Sequence, residues 1–249
     1  MAQTAGKAGK VVLFASGKGG VGKSSLAAGC GYALAQRGRK TLLVDADSGL
    51  RAQDLLLGVA DRTVFDVGDV LAGRCEPGRA IIETGYPGLH LLPAMLEGEP
   101  EAEAFRALLR GLTHFYDFVL VDAPAGVGAG VKAPAGAADA AVLITTPEPV
   151  AIRDAGHAAQ LLRAQGISEL RLVINRVEPR LIRKKVLPNL DEVIDDAAVR
   201  LLGAVPEDKQ VVAAAVLGRP VSLLRHGAGQ AVRNIAARLD GEEVPLMKF

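Results

Sequence analysis

The stretch Gly17-Lys18-Gly19-Gly20-Val21-Gly22-Lys23-Ser24-Ser25 concentrates residues that could do chemistry. Binding a phosphate group needs several backbone N–H donors aimed at one point. Glycines let the backbone wrap that closely, and a helix N-terminus adds partial positive charge. In such a loop Lys23 reaches the β- and γ-phosphates and the Ser24 hydroxyl ligates Mg²⁺. A carboxylate, Asp122, follows the apolar run 118–121. At that place it can hold Mg²⁺ through water, beside the Ser24 hydroxyl.

These groups need elements to carry them. Residues 11–15 are a continuous apolar run and predict a buried strand; the pattern from 23 to 37 predicts a helix closed by Gly38. Further strands are expected at 41–44, 80–83, 89–92, 118–121, 140–145, 170–174 and 201–205. Helices are expected near 64–71, 102–112, 150–164, 192–199, 209–217 and 230–239, with a short segment at 54–57. Apolar strands alternating with helices predict an α/β fold, a mostly parallel sheet covered on both faces. Ligands of such sheets bind beyond the carboxyl ends of the strands. Gly17, Asp47, Asp122, Asn175 and Pro206 all fall there in this reading.

A chain of 249 residues with 49% hydrophobic and 23% charged residues is globular. No internal repeat or linker divides it. We expect a loose tail over 1–9, one domain over 10–240 and a second tail over 241–249. The formal charge of +1 exerts no global pull on DNA or anionic lipid, so DNA is not an expected partner. Cys30 and Cys75 form no CxxC, and the four histidines have no ligand spacing. Cys30 is read as core packing. Neither a secretion signal nor a run of 18 apolar residues is seen, which predicts a cytoplasmic protein.

The second lysine of the loop, Lys18, is not required by phosphate binding alone. With it, Gly17 to Ser24 resembles the deviant Walker A motif of the MinD/ParA family of ATPases. Asp45-Ala46-Asp47-Ser48-Gly49-Leu50-Arg51 resembles that family's first switch, and Asp122-Ala123-Pro124-Ala125-Gly126 its second. The resemblance spans almost the whole chain and implies a single-domain P-loop NTPase. It also implies ATP and Mg²⁺ as cofactors, held by the loop from Gly17 to Ser25 and by Ser24, Asp45, Asp47 and Asp122. Lys18 would cross a dimer interface to the partner's phosphates, and Asp47 would orient the attacking water. Asn175 and Arg176 would border the adenine, with the Asn amide reading its edge. Pro206 and Glu207 would lie in a loop packed on the base.

The implied function is a slow, partner-stimulated ATPase that dimerises with ATP and helps place the cell-division septum. Its partners would be a division inhibitor of the MinC kind and an activator. Two other functions share the pattern: a DNA- or cargo-positioning ATPase or flagellar-number regulator, and a metabolic enzyme acting on a small molecule. The chain departs from the family at Ala52, where Asn is usual, and at Gly128, where an acid is usual. Its tail also departs: Lys248 stands against Asp240, Glu242 and Glu243, with Pro245 between. A membrane-binding helix needs a basic face. The tail predicts at most weak peripheral contact at the inner face of the membrane, through Leu246, Met247 and Phe249. The basic run Arg180, Arg183, Lys184 and Lys185 reads as a solvated face.

Overall fold

In the computed structural model, described for residues 8–247 apart from Gly49 and Val127, eight strands form one sheet. The strands are β1 (Lys10–Ala15), β2 (Thr41–Asp45), β3 (Ile82–Glu83), β4 (Leu89–Leu92), β5 (Phe118–Asp122), β6 (Ala140–Thr145), β7 (Glu169–Val177) and β8 (Leu201–Pro206). Their order is β3-β4-β2-β5-β1-β6-β7-β8, and every pairing is parallel except β3 with β4. The helices are α1 (Lys23–Gln36), α2 (Ala52–Leu56), α3 (Val67–Leu71), α4 (Pro77–Ala80), α5 (Ala102–Leu112), α6 (Ala129–Ala135), α7 (Pro149–Ala164), α8 (Pro179–Arg183), α9 (Leu190–Ala197), α10 (Gln210–Val216) and α11 (Gly227–Leu239).

The apolar run of β1 feeds two cores at once. Val11, Leu13 and Ala15 enter the core that also holds Phe105, Ile152 and Val193, from α5, α7 and α9. Val12 and Phe14 enter the opposite core with Leu26, Leu34 and Ile235, from α1 and α11. Side chains of a strand alternate between faces, so only a strand covered on both sides is apolar throughout. Helix α1 is buried almost all round. Its Gly29 lets α11 approach, since a Cβ there would lie 2.4 Å from Val221 Cγ1 and 3.0 Å from Val232 Cγ1. Cys30 is fully buried in the same helix, and burial pushes its thiol up to about 12. It packs the core, as expected.

Several boundaries differ from the expectations above. Residues 80–83 are not one strand. Pro77 fits the first turn of a helix, α4 runs to Ala80, and only Ile82–Glu83 pairs with β4. The helix expected at 64–71 starts at Val67, because Asp66 caps it in a reciprocal box with Asp69. Strand β7 does not end before Asn175. It continues to Val177 through an irregularity in its pairing with β8, where Arg176 takes a left-handed φ of 54°. Helices α6 and α8 had no expectation. Gly9 belongs to the body, not to a tail: its N–H donates to the Thr113 carbonyl at 2.9 Å. Residues 1–7 of the expected first tail lie outside the described residues, as do Gly49 of the first switch and Lys248 and Phe249 of the second tail.

Candidate functional site

The glycine loop leaves β1, the strand between β5 and β6, and opens α1. Its glycines have separate causes. Gly20 and Gly22 take φ of 79° and 93°, a region that L side chains rarely enter. A Cβ on Gly17 would lie 2.2 Å from the Asp154 carbonyl oxygen of α7. One on Gly22 would lie 2.3 Å from Asn175 Nδ2. A Cβ on Gly20 would meet nothing within 4 Å, and one on Gly19 would meet Ala125 Cβ at 3.8 Å. That is where a phosphate can meet bare backbone. Lys18 is exposed on this side of the loop, while Val21 is buried beneath it.

Parallel register brings the acids to the loop. Asp45 of β2 pairs with Asp122 of β5, and Asp122 pairs with Phe14 of β1. Asp45, Asp122 and Lys23 are 1%, 0% and 6% exposed. Lys23 Nζ donates to Asp122 Oδ1 at 2.6 Å and lies 3.5 Å from the Ser24 hydroxyl. Asp45 accepts the Asp47 N–H at 3.0 Å and the Gln53 N–H at 3.1 Å. Burial, with the Asp122 charge adding to it, nevertheless pushes the Asp45 carboxyl up to about 7. Asp47 is half-buried at the mouth and is shifted upward too, again by burial first.

Asp122 thus pairs with the buried Lys23 ammonium, whose charge also reaches Asp45 and Asp47. The oxygen-only set of Ser24, Asp45 and Asp122 suits a hard divalent cation. Among the described residues no group of three or more His, Cys, Asp or Glu side chains forms a metal cage. Magnesium sites that share their ion with substrate phosphates need no such cage. The residues present therefore fit Mg²⁺ carried in with a nucleotide.

The four residues expected around the base line one crevice, with Gly22 and Ser25: Asn175, Arg176, Pro206 and Glu207. Asn175 differs in one respect from the expectation. Its amide donates to the Val21 carbonyl at 2.8 Å, so the donor half of its edge serves the loop. Arg176 faces Glu207 at 4.0 Å.

Sequence reasoning missed Gln53. This wholly buried amide donates to Asp122 Oδ2 at 2.7 Å and to the Ser24 carbonyl at 3.1 Å. No spacing rule marks a glutamine.

A glycine loop between the central strand and α1 of a parallel sheet, with a lysine and two acids at the strand ends, defines a P-loop nucleotide-binding domain. The model of the CobQ/CobB/MinD/ParA nucleotide-binding domain matches residues 12–221, and the chain belongs to that family. It is 36% identical over 246 residues to the septum site-determining protein MinD of Synechocystis, covering 96% of this chain and 92% of that protein. Among solved structures, the MinC:MinD cell division complex of Aquifex aeolicus superposes with a TM-score of 0.91 at 34% identity, over 96% of this chain and 99% of that one. The MinD of Pyrococcus horikoshii complexed with Mg-ADP superposes with a TM-score of 0.84 at 28% identity, over 93% and 96%.

Proposed function

We propose that this chain is an ATPase that dimerises with ATP, hydrolyses it and in doing so helps place the division septum. The observation that carries the reading is the convergence of Lys23, Asp45 and Asp122 at the glycine loop, with Lys18 exposed beside them. The backbone from Gly17 to Ser25 cradles the phosphates. Lys23 leaves Asp122 and neutralises the β- and γ-phosphates. Ser24, Asp122 and Asp45 would hold Mg²⁺. When bound, that ion would supply charge neutralisation at the phosphates. Asp47 orients the attacking water; phosphoryl transfer to water needs positioning and charge more than a strong base. Asn175 reads the base through its free Oδ1, and Arg176, Pro206 and Glu207 wall the crevice.

Lys18 reaches the phosphates of a second copy. The dimer then presents a surface to a division inhibitor like the MinC seen with MinD in the Aquifex aeolicus complex. The protein works in the cytoplasm and touches the inner face of the membrane weakly. No described helix is long and apolar enough to cross a membrane, and residues 240–247 carry three acids and no basic residue.

The test is a Lys18→Ala variant followed by nucleotide titration and light scattering. It should bind one nucleotide per chain with affinity within about twofold of the parent and remain a monomer with ATP, where the parent dimerises. Normal ATP-dependent dimerisation of the variant would remove Lys18 from the interface.

A further inference from the structure

Gln53 ties three parts of the site together. Its backbone N–H donates to Asp45 Oδ2 at 3.1 Å. Its side-chain amide donates to Asp122 Oδ2 at 2.7 Å and to the Ser24 carbonyl at 3.1 Å. Both partners of Nε2 are acceptors, so this end of the side chain must be the NH₂. Both amide hydrogens are then used. Oε1 is left buried and without a hydrogen-bond partner. An unpaired buried acceptor destabilises a structure.

The two oxygens of Asp122 therefore have different partners. Oδ2 belongs to Gln53 and Oδ1 to Lys23. When Lys23 turns to phosphate, only Oδ1 is released. Magnesium keeps most of its water, and those waters are donors in search of acceptors. The neighbourhood then offers two: Asp122 Oδ1 and the unpartnered Oε1 of Gln53.

We propose that Gln53 is a positioning residue for the hydrated magnesium ion. It fixes which oxygen of Asp122 faces the ion, and it accepts from the hydration shell through Oε1. This rests on the metal reading of Ser24 and Asp122 given above. The same side chain links the shell to α2, the helix that follows the first switch. Methionine, of similar length, would leave Asp122 Oδ2 and the Ser24 carbonyl without their donor. Asparagine would keep an amide but withdraw it by one methylene.

The experiment uses the full chain and a fluorescent ADP, titrated at a series of free Mg²⁺ concentrations. For Gln53→Met and Gln53→Asn, the Mg²⁺ needed for half-maximal binding should rise about tenfold, as for other residues behind metal ligands. Binding in excess chelator should stay within about twofold of the parent, because phosphate contacts are intact. Thermal melting without ligands identifies a variant that does not fold, and the folded one decides. Mg²⁺ midpoints equal to the parent's in a folded variant would overturn the proposal alone. A parent whose ADP binding ignores Mg²⁺ would overturn the metal reading and the proposal with it.

Discussion

At the scale of single residues the site is a problem of buried charge. Lys23 neutralises Asp122 at 2.6 Å, whereas Asp45, 1% exposed, has backbone N–H groups for partners and no adjacent ammonium of its own. Burial raises its carboxyl to about 7 from an ordinary 3.8. A group whose acidity is weakened by folding stabilises the fold fully below its unfolded pKa. That contribution is lost as pH rises through the folded value. The window for Asp45 thus opens near pH 4 and closes above about 7. An Asp45→Asn variant should therefore gain on the parent as pH rises across this window. The relative gain between pH 4.5 and 8 should be on the order of 3 kcal/mol. Urea unfolding at pH 4.5 and 8, without nucleotide or metal, measures it. A gap between the two proteins that does not change with pH would contradict the burial argument. Lys23, Asp122 and the glycines were legible in the sequence because phosphate chemistry restricts which residue types can stand there. Gln53 was not legible, because its value lies in what it touches across 69 positions of chain.

At the scale of elements, strands were easier to read than short helices. A strand buried on both faces is a solid apolar run, as in β5 and β6, and such runs stand out. Helix α6 hides because Gly130 and Pro134 lie inside it. Helix α4 hides because four residues are too few to show a period. Strand β7 was read short because Asn175 and Arg176 look like a turn, whereas a left-handed residue can be absorbed in a bulge. Helix packing yields a paired prediction. Gly29→Val places branches against Val221 and Val232, and overpacking of this kind costs about 2 kcal/mol. Gly111→Ala, in α5 with nothing within 4 Å of the new Cβ, should instead stabilise by about 0.5–1 kcal/mol. Denaturant midpoints of the two variants should move in opposite directions. A stabilised Gly29→Val protein would mean that α1 and α11 are less tightly apposed than described.

At the scale of the whole molecule, the C-terminal segment returns to the body. Arg238 of α11 donates to the carbonyls of Leu202 at 2.8 Å, Val244 at 3.0 Å and Pro245 at 2.8 Å. Asp240 pairs with Arg37 and Arg39 at 3.1 and 2.8 Å, and Arg37 also pairs with Glu242. Two of the three acids that argued against lipid binding thus have partners at the end of α1. Met247 packs on the core shared by α1 and α11, while Leu246 stays exposed. Removing the fork with Arg238→Ala should lower stability by about 1.5–3 kcal/mol, the range for hydrogen bonds made by a charged group. Amide exchange over residues 241–247 should quicken well beyond that of α11. Unchanged exchange there would show that the ion pairs alone retain the segment.

The place of β1 in the sheet bears on the order in which the chain becomes competent. The glycine loop is complete by residue 25, yet the neighbours of β1 are β5 and β6, which begin at Phe118 and Ala140. A chain leaving the ribosome carries its phosphate loop for the length of some hundred further residues before either flank exists. Non-local pairing of this kind slows folding. Until Asp122 arrives, Lys23 lacks its carboxylate and β1 is an apolar strand with two open edges. During that interval the most chemically endowed part of the chain is also the part most in need of protection from other chains.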